Sequence, residues 1–152
     1  GANSEKNLAI GKDTRKLGLA LVKLSLDEND FSIFPTFINF YDWEGSPGEF
    51  RWAKQNPKIV WTNSSAENKL QRLAFKTKSL NDRNVEIIFN GKRIDSFNLG
   101  EKPYTVDHML SLKPGENIIE FISKKPPVNP IGSDDRSLLL SIEEFYPLYL
   151  KD

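Results

Sequence analysis

Apolar and polar residues alternate with a period of two through most of the chain. Lys16-Leu17-Gly18-Leu19-Ala20-Leu21 opens one such run, which continues through Leu24 and Leu26, and Phe31, Ile33, Phe37, Ile38 and Phe40 form an aromatic-rich second stretch. Further runs are Lys58-Ile59-Val60-Trp61, Lys69 to Lys76 and Asn84 to Phe89. Tyr104 to Leu112, Ile118 to Ile122 and Ser137 to Ile142 complete the series, the last predicted to end near Pro147. Side chains alternate across a strand, so this period predicts half-buried strands, and the β-branched and aromatic content agrees. No segment carries a sustained helical period.

Turn formers separate the runs. Asn90-Gly91 stands between Phe89 and Ile94, a pairing that suits a two-residue hairpin because both residues tolerate positive φ. In Leu112-Lys113-Pro114-Gly115-Glu116-Asn117-Ile118, Pro114 presets φ and Gly115 accepts the positive φ of a type II turn. About ten short strands at a spacing of roughly 8–12 residues predict an all-β fold, a two-sheet antiparallel sandwich. Residues 1–14 read as a polar lead-in or linker, residues 15–152 as a single sandwich domain, and residues 42–57 as a long loop.

Composition narrows the function. The chain has 152 residues, enough for one core, with 38% hydrophobic and 28% charged residues, as in ordinary globular proteins. Its 21 basic and 21 acidic residues cancel, so no nucleic-acid partner is expected and no adsorption to anionic lipid. The absence of cysteine excludes disulfides, a thiolate nucleophile and a Cys-based zinc site. No apolar run approaches the roughly 18 residues of a membrane span, and no signal peptide opens the chain. Gly1-Ala2 without a methionine reads as the remnant of a tag, so the chain is expected to be a piece of a longer protein.

Candidate chemistry is sparse. His108 is the single histidine, in a predicted strand, with no Gly-x-Ser-x-Gly elbow to activate beside it, so a structural role is expected. Glu143 and Glu144 are adjacent, so on a strand they are expected to face opposite sides and not to share a substrate. Asp134-Asp135-Arg136 is expected to pin a loop through bidentate hydrogen bonds, and a calcium site is the weaker reading because the acidic residues lack a dense alternating pattern. Asn63-Ser64-Ser65 is a glycosylation sequon, of consequence only in a secretory setting. The stretch from Tyr41 to Trp52 joins aromatics (Tyr41, Trp43, Trp52) to polar Asp42, Glu44, Glu49 and Arg51, the mixture that stacks on sugar rings and bonds their hydroxyls. The competing reading places Trp52 and Trp61 in the core between the sheets.

Four landmarks in order carry a family resemblance: Tyr41-Asp42-Trp43-Glu44 through Phe50-Arg51-Trp52; Val85 through Asn90-Gly91-Lys92; Leu112-Lys113-Pro114-Gly115-Glu116-Asn117-Ile118-Ile119-Glu120-Phe121; and Pro130 through Asp134-Asp135-Arg136-Ser137-Leu138. Over roughly residues 38–146 the chain resembles the jelly-roll-like β-sandwich appended to bacterial and archaeal glycosyltransferases and related membrane-bound glycan enzymes. Ala53 stands where that group commonly has Ser or Thr after the tryptophan. The resemblance implies a non-catalytic, extracytoplasmic accessory domain with its transferase elsewhere in the polypeptide. Its expected partners are a glycan and a membrane-embedded domain of the same chain. Trp43, Glu49, Arg51 and Trp52 are the expected ligand contacts, and no cofactor is expected. The alternative is a structural interaction domain of a cell-envelope protein. An esterase or lyase reading lacks a nucleophile or base at usable spacing.

Overall fold

The computed structural model describes residues 34–45, 49–132 and 134–146. The expected lead-in over 1–14 and the run from Lys16 to Leu26 lie outside the described residues, as does Ser133. Among the described residues there are eight strands and no helix: β1 (Thr36–Phe40), β2 (Phe50–Asn63), β3 (Lys69–Lys78), β4 (Arg83–Phe89), β5 (Lys92–Leu99), β6 (Tyr104–Leu112), β7 (Gly115–Ile122) and β8 (Ser141–Tyr146).

All pairings are antiparallel, and they form two sheets that share β2. The second half of β2 lies between β1 and β7, and β4 and β5 extend that sheet beyond β7. The first residues of β2, Phe50 to Trp52, pair instead with β8, which continues into β3 and β6. After β3 the chain crosses to the first sheet for β4 and β5, back for β6, across for β7 and back again for β8. This repeated crossing makes the sandwich jelly-roll-like.

The core lies between the sheets and is built by the alternation seen in the sequence. Ile59 and Trp61 on β2, Ile119 and Phe121 on β7, Val85 and Ile87 on β4, Leu73 and Phe75 on β3, and Val106 and Leu110 on β6 are all buried. Rings interlock across the gap: Phe121 meets Phe75 edge-on at 5.9 Å, and Trp61 stacks on Phe145 at 6.2 Å. Trp61 is therefore core, as one sequence reading had it, at 0% exposure.

Both turns form as expected. Asn90 and Gly91 have φ of 50° and 85° and join β4 to β5, and Gly115 has φ of 92°. Asn117, fully buried two residues beyond Gly115, completes that turn. Its amide donates to the carbonyls of Lys113 (2.9 Å) and Gly115 (3.0 Å), and its Oδ1 accepts from Lys113 N–H (2.9 Å) and Asn90 Nδ2 (3.0 Å). One amide thus ties the two turns together at the same end of the sheet.

Three expectations are corrected. Residues 50–57 belong to β2 and not to a long loop. They read as loop because Lys54, Gln55 and Asn56 are all exposed and Pro57 interrupts the run, at the place where β2 leaves one sheet for the other. There the register with β1 jumps from Lys58 opposite Ile38 to Ala53 opposite Phe40. Asn39 and Asn56 absorb the bend at φ of 64° and 56°, and Asn39 Nδ2 donates to Asn56 O at 2.9 Å. Asparagine tolerates that backbone better than most side chains do.

The last strand begins at Ser141, not Ser137. Leu138, Leu139 and Leu140 are all buried, which gives the segment a strand-like apolar run. They form a covered connection in which Leu138 bridges Val128, and Leu139 and Leu140 exchange backbone bonds with Ala53. Glu143 and Glu144, finally, do not face opposite sides. Glu144 sits at φ 51° in an irregularity of the β3–β8 pairing, and the two carboxylates reach Lys78 and Lys76, which share one face of β3.

Candidate functional site

The connection from β1 to β2 is short and heavily stitched. Glu44 N–H donates to Phe50 O (2.7 Å), while Glu49 and Phe50 N–H both donate to Glu44 O, closing a tight loop. Gly45 at φ 82° makes the turn possible, and the Glu49 side chain folds over it: a Cβ there would lie 3.2 Å from Glu49 Oε1. Tyr41 N–H donates to Trp52 O at 2.9 Å, anchoring the loop to β2.

A second loop is clamped onto the first. Arg136 donates to Glu44 Oε2 at 2.5 Å and makes a fork of bonds to Asp134, whose Oδ1 also accepts the Arg136 backbone N–H at 3.0 Å. These carboxylates hold the guanidinium above its ordinary pKa, Asp134 foremost and Glu44 next. Arg136 in turn holds the Asp134 carboxyl below the usual range, through its side-chain bond first and its backbone bond second. Tyr41 Oη lies within hydrogen-bond distance of Ser137 N and O, 3.2 and 3.3 Å. The expected pinning role of Arg136 is what the structure shows, with Glu44 as a second partner.

The four expected contacts occupy different settings. Trp43 is half-buried, edge-on to Phe37 at 5.6 Å, with the Arg51 guanidinium 5.0 Å from its ring centre. Glu49 is exposed. Arg51 sits opposite the buried Ile142 and so points to the interior side, where it lies over Phe37 (4.6 Å) and Phe40 (5.5 Å) as well as Trp43. Its Nε donates to Tyr41 O at 2.8 Å. Trp52 is buried, only 9% exposed, opposite Ser141. Its ring is buried on the side of β2 opposite to Arg51, so of the four only Trp43 and Glu49 are presented at the surface, with Arg51 against Trp43.

Sequence reasoning missed three partners of this loop. Phe37 and Lys54, 4.9 Å above the Tyr41 ring, come from flanking strands, and Glu44 finds Arg136 across 92 residues. Only the repeated aromatic and cationic residues around 37–54 hint at them.

Elsewhere, His108 Nε2 lies 2.7 Å from Asp95 Oδ2, joining the edge strands β5 and β6. Burial and then the Asp95 charge push the neighbouring Tyr104 hydroxyl up in pKa. The Asn63 sequon is consumed by the fold. Asn63 is 2% exposed, donates to the carbonyls of Glu67 and Leu112, and accepts from Ser65 N–H and Oγ. No group of three or more His, Asp or Glu side chains converges among the described residues.

No family model matches the chain, and no curated protein does. Among solved structures, a family 35 carbohydrate binding module from an environmental isolate is 18% identical, with a TM-score of 0.39 over 73% of this chain and 80% of that one. A family 35 module from Cellvibrio japonicus is 16% identical, with a TM-score of 0.40 over 73% and 80%. A family two carbohydrate esterase from Clostridium thermocellum, in complex with cellohexaose, is 12% identical at a TM-score of 0.42. This chain covers 30% of that esterase. At such identities and scores the likeness assigns no role to any residue here.

Proposed function

We propose that the domain is a non-catalytic accessory module that holds or orients a glycan, in the extracytoplasmic part of a membrane-bound glycosyltransferase. The observation that carries the glycan reading is Trp43. Its ring is held in place by Phe37 and Arg51, is partly open to water, and stands on a clamped loop beside exposed Asp42 and Glu49. A fixed ring needs no ordering before a sugar stacks on it, and the carboxylates can accept ring hydroxyls. Arg51 acts beneath, holding the platform.

A single shallow platform buries little area and exchanges hydroxyl bonds against water, so weak binding is expected. Titration of envelope polysaccharides and neutral oligosaccharides, followed by Trp fluorescence and amide shifts, should perturb residues 41–53. Trp43→Ala should abolish the response without unfolding the domain, whereas Trp61→Ala should unfold it. A silent titration, or one that Trp43→Ala leaves intact, would refute the platform. Membrane spans encoded upstream of Gly1 in the parent gene would support the transferase context.

A structural interaction domain is the second reading. It is favoured by the cations over the loop's rings: Lys54 and Arg136 both lie over Tyr41, which then serves packing. The same titration separates the two.

A further inference from the structure

At the end of the sandwich where β4 begins, β5 ends and β7 exits, the described residues enclose an open groove of about 690 Å³. Asp82 and Asn84 form one wall, Asn98 and the Gly100–Tyr104 turn another, and Lys125 closes the side. A shallower recess of about 400 Å³ continues from it past Asn84 and Lys125 to Lys124.

The groove is built rather than accidental. Tyr104 is stacked on Phe97 at 4.1 Å and 12°, so its ring is a fixed wall. Lys125 Nζ donates to Asp82 O at 2.6 Å, holding the ammonium at the rim. A Cβ at Gly100 would fall 2.7 Å from Asp82 Oδ1, so that glycine is what lets the carboxylate lie where it does. Arg83, 3% exposed, anchors the floor with bonds to Ser79 Oγ, Asn81 Oδ1, Ser123 Oγ and the carbonyls of Lys125 and Pro126. Every one of these acceptors is neutral.

Charge sets this region apart. Lys58, Arg72, Lys76, Lys78, Arg93 and Arg136 each contact a carboxylate, and Arg51 and Lys54 lie over rings. Among the described residues no carboxylate contacts Arg83, Lys102, Lys124 or Lys125, which surround the groove and its extension. Two other lysines without such a contact, Lys92 and Lys113, stand at the Asn90-Gly91 and Pro114-Gly115 turns. Against these four cations the groove and its extension set Asp82, Glu101 and Glu86, the last engaged by Arg93, a surplus of one positive charge. Its local field is therefore positive in a chain of zero formal net charge.

We propose that this groove binds an anionic saccharide, its acidic group against Lys102 and Lys125 and its ring hydroxyls on Asn84, Asn98 and Asp82. The amides supply both donors and acceptors, as hydroxyls require, and Tyr104 offers a ring face. Only the ligand class rests on the glycan reading; the residues are wholly separate from the Trp43 loop.

The test is a ¹⁵N amide titration of the intact chain with digalacturonate, glucose 6-phosphate, cellobiose and inorganic phosphate. The two acidic sugars should shift Asn84, Asn98, Gly100, Lys102, Tyr104 and Lys125, less so at high salt, and their relative strength tells carboxylate from phosphate. Lys102→Gln and Lys125→Gln should each weaken binding by up to about fivefold, the worth of one exposed ion pair. Trp43→Ala should leave these shifts unchanged. Groove shifts without any response at residues 41–53 would uphold the groove while refuting the Trp43 platform. Shifts at 41–53 alone, equal binding of cellobiose, equal binding of inorganic phosphate, or affinity unchanged in the double lysine variant would each overturn the groove.

Discussion

Asn117 offers the sharpest test of how the two turns hold this end of the sandwich. Asn117→Ala removes three donor contacts, to Lys113 O, Gly115 O and, at 3.4 Å, the O of buried Trp61, and two acceptor contacts, from Lys113 N–H and Asn90 Nδ2. Lys113, Gly115 and Asn90 are exposed, so water replaces part of what is lost. The small void left at a fully buried position adds to the penalty. At roughly 1 kcal/mol per net hydrogen bond, the loss should be about 2–3 kcal/mol. Asn117→Asp keeps the shape but aims a carboxylate oxygen at three carbonyls. Its folded-state pKa should rise above the unfolded value of about 3.9, so the destabilisation is full at pH 7 and fades as the pH falls through the folded pKa. Urea unfolding followed by tryptophan fluorescence reads both effects. With a slope of about 1–2 kcal/mol/M, the alanine variant's midpoint should drop by about 1–3 M, and the aspartate variant's by at least as much at pH 7. An aspartate variant as stable as the parent at neutral pH, or one whose deficit does not shrink on acidification, would show that the amide's donors do not hold the turn.

Gly91→Val should lower the melting temperature, because a β-branched residue is strained at φ 85° although nothing lies within 4 Å to obstruct its Cβ; an unchanged melt would refute the positive-φ turn. Arg136→Ala should destabilise by more than the roughly 0–1 kcal/mol of an exposed ion pair, since it leaves both Glu44 and Asp134 without their partner. The depressed Asp134 pKa means the parent loses this contribution as the pH falls through that value, so parent and variant should converge in acid; a constant gap would count against the clamp.

Strand character was legible wherever one face is buried and the other wet, because alternation then reports burial directly. Tyr104 to Leu112 matches β6 residue for residue. It failed where that condition lapses. Leu138 to Leu140 are buried together, so the apolar run does not distinguish a covered connection from a strand. Lys54 to Asn56 are exposed together, so a strand changing sheets resembles a loop. The site shows the same division. Arg136 was readable because its partner Asp134 is local, whereas Glu44 is not. The Tyr41–Trp52 stretch carried the right residue types, but composition cannot say which aromatic faces water, and the fold presents Trp43 while burying Trp52. The groove drew its walls from three separate turns, and no single stretch of sequence contains enough of it to be noticed.

The place of β8 has a consequence for how this domain comes into being. It is the last of the described strands in chain order, yet it lies between β2 and β3 and is the only described link between them in the second sheet. Before β8 is in place the first sheet can close, but β3 and β6 form a pair with no other described link to β2. Such sequence-distant pairings make folding slow and leave unpaired edges available to other chains. Docking of β8, rather than formation of any earlier hairpin, is then the step that joins β3 and β6 to β2.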